Sequence, residues 1–337
     1  MSASIGIVGL GYWGPNLVRN FAATSGWTVK YACDLNEAQL AKMRAQYPSV
    51  TYTTDVSVLL NDPGLTAVAV ATPVGSHYAL AKAALERGKH VLIEKPMTST
   101  TAEADDLMAI AQSRGVRILV DHTFVYTGAV RKIRELVERG DLGDLYYFDS
   151  TRINLGLIQK DMNVLWDLAI HDLSILGEIH DLTTLRTVQA HASRHYGAQE
   201  EIGHLHLSFA DGLEAHIHVS WLSPVKLRQT IIGGTKKMVL FDDLQPSEKI
   251  RVYDTGVQGG ALGETPQADP LFPMYRTGDI LIPKLDNTEA LRSEAGHFLA
   301  VVEGTASPRV PAEQGRAILR ILERANESLA ERRPIAF

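Results

Sequence analysis

The sequence predicts an α/β fold: a doubly wound parallel sheet at the N-terminus, followed by an α+β domain with a large, mostly antiparallel open sheet. Three observations carry this. Strand-like and helix-like patterns alternate through the first 121 residues, a glycine-rich turn joins the first strand to the first helix, and strand patterns dominate from Thr184 to Tyr253. A chain of 337 residues is long enough for two hydrophobic cores, and the change of pattern places them at 1–121 and 122–337.

Taken in order, Ile5–Val8 reads as a strand, Pro15–Ala23 as a helix and Thr28–Cys33 as a second strand, which together make a βαβ opening. The apolar runs Ala67–Ala71, His90–Ile93 and Ile118–Val120 follow as further strands. The amphipathic stretches Ser76–Arg87 and Thr100–Arg114 supply the crossover helices between them. Beyond Asp121 a helix over Gly128–Arg139 leads through the turn Gly140–Gly143 into a strand at Leu145–Ile153. In the strand-rich part, Asp211 and Gly212 signal a hairpin with a two-residue turn. Thr255–Asp269 reads as a mobile surface loop, and helices near Thr288–Glu303 and Ala312–Arg332 end the pattern.

Composition removes several function classes. Hydrophobic residues make up 45% and charged ones 21%, as in folded soluble proteins rather than disordered or fibrous ones. No apolar run approaches the roughly 18 residues that cross a bilayer, and the N-terminus has no signal-peptide pattern, so no membrane partner and a cytoplasmic location are expected. The net charge of −6 argues against nucleic acid as a partner. A lone cysteine, Cys33, excludes an intrachain disulfide and a cysteine-cluster metal site.

Gly9, Gly11 and Gly14 form a GxGxxG pattern that follows a strand and opens a helix. The first glycine permits the tight turn, the second lets backbone approach a pyrophosphate, and the third lets helix and strand pack closely; the helix N-terminus then favours the anion. Tyr12 and Trp13 lie on the same loop and are counted with it as cofactor contacts. Asp34 follows Gly14 by twenty residues at the end of the second strand, where a carboxylate accepts hydrogen bonds from the adenosine ribose hydroxyls and repels a 2′-phosphate. This makes NAD the expected cofactor of a Rossmann domain. Thr72 and Pro73 end another strand at the ligand-binding edge, with His77 four residues on; they suit a cofactor contact or a capped turn.

Glu94, Lys95 and Pro96 follow the strand ending at Ile93, which puts Glu94 and Lys95 beside the nicotinamide half of a dinucleotide. A lysine partly desolvated there, next to a cationic ring, can hydrogen-bond or deprotonate a substrate hydroxyl near neutral pH. Asp167 and His171 are four apart, so on an α-helix they share a face, and a carboxylate beside an imidazole can orient it and raise its basicity. Trp166 fits either the nicotinamide pocket or the core. Arg152, Asn154, Gln159, Lys160 and Asn163 form a polar group suited to sugar hydroxyls or a diphosphate, or simply to solvent.

On these motifs, and on the closing helices around Glu294–Phe298 and Gln314–Leu329, the chain resembles the Gfo/Idh/MocA oxidoreductases over nearly its whole length. The resemblance implies hydride exchange between nicotinamide and a sugar or cyclitol hydroxyl, with Lys95, Asp167 and His171 as catalytic residues meeting above the nicotinamide. The stretches Gly11–Asn16, His122–Tyr126, Asn154–Gly156 and Tyr275–Ile280 are similar to members acting on nucleotide sugars, including UDP-N-acetylglucosamine 3-dehydrogenases. Where many members carry an asparagine and then an arginine after the sixth strand, this chain has His122 and Tyr126, which with His171 complete the expected substrate contacts. Two other readings stay open: a dehydrogenase of a free sugar or cyclitol, and a sensing protein that keeps the dinucleotide site without turnover.

His204, His206, His216 and His218 invite a metal reading. With a two-residue turn at Asp211–Gly212, however, the two pairs point to opposite faces, so no metal is expected unless an odd-length loop reunites them. A broad sheet with one uncovered face implies a homo-oligomer, a dimer or tetramer, built through the C-terminal sheet.

Overall fold

The computed structural model describes residues 3–258 and 274–337. It divides into two compact units by a different partition from a single cut after residue 121: Met1–Thr127 joins Asn287–Glu323, and Gly128–Asp286 joins Arg324–Phe337.

In the first unit the order is β1 (Ala3–Val8), α1 (Gly14–Ala23), β2 (Trp27–Cys33), α2 (Glu37–Gln46), β3 (Thr51–Thr53), α3 (Val56–Leu60), β4 (Ala67–Val70), α4 (His77–Glu86), β5 (His90–Glu94), α5 (Thr101–Arg114) and β6 (Ile118–Asp121). The six strands pair in parallel in the order β3-β2-β1-β4-β5-β6, the doubly wound arrangement, with strand order reversing between β1 and β4. β4 and β6 are buried along their whole length, as strands covered on both faces must be. Local signals set the helix ends. The Thr100 side chain caps α5 by accepting from the Glu103 N–H, and Gly115 stops it in the left-handed conformation.

The helix α8 (Ala290–Val302) returns to this unit for a packing reason. Its Phe298 ring stacks on Trp27 at 5.6 Å, Phe21 meets both edge-on, and the Trp27 indole donates to the Ala295 carbonyl at 2.8 Å. Each such aromatic taken out of water contributes roughly 2–3 kcal/mol, a gain lost to the core if the segment stayed with the second unit.

The second unit contains α6 (Gly128–Glu138), β7 (Leu145–Leu155), α7 (Ile170–Ile179), β8 (Leu185–Ser193), β9 (Ile202–Phe209), β10 (Glu214–Ser220), β11 (Leu222–Gly234), β12 (Met238–Asp242), β13 (Ile250–Tyr253), β14 (Gly256–Gln258), β15 (Met274–Arg276), β16 (Ile280–Leu281) and, after the shared helix α9 (Ala312–Glu331), β17 (Ile335–Ala336). Its large sheet runs β16-β13-β12-β11-β7-β10-β9-β8-β17 and is antiparallel except where β7 meets β10. Most of the surface loop expected at Thr255–Asp269 lies outside the described residues.

The β9–β10 hairpin corrects the expected register. Phe209 donates to the Leu213 carbonyl, leaving a three-residue loop in which Gly212 takes a φ of 94°. His206 therefore faces His216 and His204 faces His218, on one side of the sheet, with rings stacked at 4.5 and 4.3 Å. His191 extends the second row from β8. Stacked side by side, these rings do not converge, and among the described residues no group of three or more His, Cys, Asp or Glu is disposed to hold a metal ion. Nor is any described helix long and apolar enough to cross a membrane.

Candidate active site

The glycine turn after β1 is a cradle built by steric exclusion. Gly9 has a φ of 94°, and a Cβ there would lie 2.5 Å from the Ala71 carbonyl oxygen; at Gly14 it would lie 2.0 Å from that of Gly9. At Gly11 nothing stands within 4 Å. The outer positions are closed by the protein's own backbone while the middle one is open, as a loop that admits a pyrophosphate requires. No side chain caps the start of α1, which follows this loop directly and brings the positive end of the helix dipole to it. Asp34 is tied into the turn, its Oδ2 accepting from the Leu10 N–H at 2.6 Å and its Oδ1 from Asn36 at 2.7 Å. The residues fit a dinucleotide. Tyr12 is 81% exposed and meets Trp13 edge-on at the rim of the loop.

At the ends of β4 and β5 the expected contacts separate by role. Thr72 accepts from the Ser76 hydroxyl at 2.7 Å, and Pro73 is exposed. His77 is buried: its Nε2 lies 2.7 Å from the Thr72 carbonyl and its Nδ1 2.8 Å from that of Pro96. It joins the turn after β4 to the turn after β5 and offers no ring nitrogen outward, and burial pushes its pKa down. Lys95 is half-buried on the second of these turns, with its backbone N–H donating to Oε2 of buried Glu94. His122 and Tyr126, expected at a substrate, are 1% and 2% exposed, and the Tyr126 ring lies against His297.

In the second unit, Asp167 falls within a π-helical turn, Leu165–Ala169, that runs into α7, so the uniform α-helix expected around Asp167 and His171 is interrupted at the aspartate. Oδ2 of Asp167 accepts from the Trp221 indole N–H at 3.0 Å, and Trp221 is itself 1% exposed, which fixes the carboxylate firmly. His171 and Trp166 are half-buried on the same stretch. The expected polar group does not form a single surface. Arg152 is buried in a bidentate pair with Asp172, at 2.9 and 3.1 Å, because β7 alternation turns it inward with Phe148 and Ser150. Asn163 accepts from the Trp166 N–H and donates to Asn326, a structural cap. Asn154 and Gln159 are half-buried, and Lys160 is exposed.

Comparison with known proteins agrees with this architecture. The family described as "Oxidoreductase family, NAD-binding Rossmann fold" matches residues 3–122, and the "GFO/IDH/MocA C-terminal domain" matches residues 130–240. The chain belongs to the Gfo/Idh/MocA oxidoreductase family. This Gfo/Idh/MocA chain is 24% identical to scyllo-inositol 2-dehydrogenase (NADP(+)) IolW of Bacillus subtilis over 89% of each chain. It is 31% identical to UDP-N-acetylglucosamine 3-dehydrogenase of Acidithiobacillus ferrooxidans over 54% of this chain and 53% of that one. Among solved structures, GenD2 from gentamicin A biosynthesis, in complex with NAD, superposes with a TM-score of 0.81 at 22% identity, covering 99% of this chain and 96% of that one.

Membership explains the first unit as its NAD-binding Rossmann domain. Sequence reasoning overlooked four residues that organise the site: Trp221, which holds Asp167; Asp172, which neutralises Arg152; Asp121, the register partner of Glu94; and Glu294, buried on α8. Asp121 carried a usable signal, since it ends β6 level with Glu94 at the sheet edge where ligands bind. The other three depend on contacts distant in sequence.

Proposed function

We propose that this oxidoreductase is an NAD-dependent dehydrogenase of a secondary hydroxyl on a sugar or nucleotide sugar, with UDP-N-acetylglucosamine and its C3 hydroxyl the first candidate. The observation that carries the reading is the open position at Gly11 beside the uncapped start of α1, with Asp34 anchored next to it. Asp34 favours NAD over NADP, because its carboxylate repels a 2′-phosphate and Leu35 and Asn36 supply no cation to offset it. When bound, the nicotinamide accepts the hydride or returns it.

This chain's residues do the rest. Lys95 donates a hydrogen bond to the substrate oxygen and stabilises negative charge on it. His171 takes the hydroxyl proton, and Asp167, held by the Trp221 indole, is the carboxylate that orients the imidazole. Sugar hydroxyls are met by Asn154, Gln159 and Lys160. The nucleotide-sugar relative supports the substrate class; the inositol relative keeps free cyclitols in the test.

The experiment is a screen of UDP- and TDP-sugars and free cyclitols for reduced nicotinamide, with the position of oxidation read by NMR. Lys95→Ala is expected to lower turnover by about 10³-fold or more while NAD affinity stays within a factor of about three. Loss of NAD binding alone would overturn the assignment of Lys95, and no hydride transfer from any substrate would favour a sensing role. We further propose a homo-oligomer assembled through the uncovered face of the large sheet, which a single-chain mass in light scattering would rule out.

A further inference from the structure

Within the first unit, the two ring nitrogens of His77 face two carbonyl oxygens. Nε2 lies 2.7 Å from the Thr72 oxygen, on the turn after β4, and Nδ1 lies 2.8 Å from the Pro96 oxygen, on the turn after β5. His77 is the first residue of α4 and is 1% exposed, so solvent does not compete for either contact.

Carbonyl oxygens only accept hydrogen bonds, and a neutral imidazole has one N–H and one bare nitrogen. A neutral ring therefore satisfies one of these oxygens and sets a lone pair against the other at hydrogen-bonding distance. Turning the ring over gives no relief, because it puts carbon at both positions, well inside the about 3.3–3.6 Å of a C–H···O contact. Only an imidazolium, with a proton on each nitrogen, makes both contacts favourable.

The bridge joins unlike partners. The turn after β4 is held from within by the Ser76 hydroxyl, 2.7 Å from the Thr72 hydroxyl and 2.8 Å from the Pro73 carbonyl. The turn after β5 carries Lys95, one residue before Pro96, at the sheet edge where ligands bind. The ionisable groups on the elements around the ring are occupied elsewhere. Tyr78 and Lys82 on α4 each donate to Asp106 of α5 at 2.8 Å, and Glu94 accepts from the Lys95 N–H at 3.0 Å. None of these groups acts on His77: burial lowers its pKa, the Pro96 and Thr72 carbonyls raise it, and burial is the larger effect.

We propose that His77 is a proton-dependent clamp between the two turns: as an imidazolium it ties the turn carrying Lys95 to the turn after β4, and as a neutral ring it lets go of one of them. Whichever nitrogen loses its proton to solvent, the tie is broken. His77 is thus a positioning residue that acts through the Lys95 turn without touching a ligand. The inference rests on the reading of Lys95 as the amine that works on the substrate, but its test does not depend on turnover.

The test follows His77 in the full chain by nitrogen NMR of isotopically labelled histidine, with its signals assigned by their loss in His77→Gln, and follows the Lys95 backbone amide under the same conditions. On the acid side both ring nitrogens should carry protons. As pH rises one should become bare, with a midpoint below the ordinary imidazole value of about 6.5, and the Lys95 amide should shift with the same midpoint. The glutamine amide in His77→Gln can donate but does not titrate, so in that variant the step in the Lys95 amide should be lost. A ring that keeps one protonation state across the whole pH range in which the chain is folded overturns the proposal. So does a His77 titration that leaves the Lys95 amide unmoved. Both outcomes are read in the unmodified chain, where sequential assignment identifies the signals even if His77→Gln fails to fold. Absence of dehydrogenase activity would count against the catalytic reading of Lys95 and leave this titration result standing.

Discussion

His122 shows how burial writes a pH dependence into a single residue. Its ring is 1% exposed and its pKa falls to about 3, first through burial and then through the Lys95 charge. The ordinary value of about 6.5 applies in the unfolded chain, so below that pH the unfolded state binds the proton that the folded state refuses. Stability is therefore lost as pH falls from about 6.5 towards 3, by up to about 1.4 kcal/mol per pH unit from this group. The buried acids Glu94 and Glu294 act with the opposite sign, because their raised pKa values favour the folded state as pH falls. The effect of His122 is thus isolated by difference: melting temperatures of His122→Asn and the unmodified chain should converge, or cross in favour of the variant, between pH 7 and pH 5, and a constant gap refutes the assignment. Cys33 shows the same physics: burial, then Asp34, pushes its thiol up to about 11, leaving a poor nucleophile at neutral pH. Arg152 marks the limit of single-residue reading. Its charge suggested a ligand, but its environment is set by Asp172, which comes twenty residues later on a different element. Removing Arg152 alone would leave the buried Asp172 carboxylate without its counter-charge, at a cost of about 3–5 kcal/mol.

Among the elements, the turn from β1 to α1 is the most legible in sequence, because three closely spaced glycines, at 9, 11 and 14, carry its geometry. Their roles differ in a way substitution can separate. Gly11→Ala adds a methyl group to open space, so its melting temperature should stay near that of the unmodified chain while NAD affinity falls by about tenfold or more. Gly14→Ala drives the same methyl into the Gly9 carbonyl, so both stability and NAD affinity should fall. Calorimetric unfolding alongside NAD titration checks the pair, and equal stability losses in the two variants would contradict the cradle. The β9–β10 hairpin was less legible: Asp211 and Gly212 suit both a two-residue turn and the three-residue loop observed, and one residue of loop length decides which face every histidine takes. The π-helical turn at Asp167 left no mark in the spacing either, because the apolar pattern around it is that of an ordinary helix.

For the whole molecule, the two sheet types and their order along the chain were readable from periodicity, since parallel strands buried on both faces and alternating antiparallel ones leave different patterns. The partition was not, because it depends on Phe298 finding Trp27 rather than on any local signal. The coenzyme-binding half therefore consists of two stretches, Met1–Thr127 and Asn287–Glu323, separated by most of the other half. A fragment ending at Thr127 should expose Phe21 and Trp27 and bind a hydrophobic dye strongly, and supplying residues 287–323 as a separate peptide should suppress that signal. During translation, at about 5–20 residues per second, the ribosome works for roughly 10–40 s between Thr127 and Glu323. Throughout that interval the nascent Rossmann sheet has an unroofed aromatic patch, so although its first residues emerge earliest, the half that they begin is among the last parts of the protein to reach its final form.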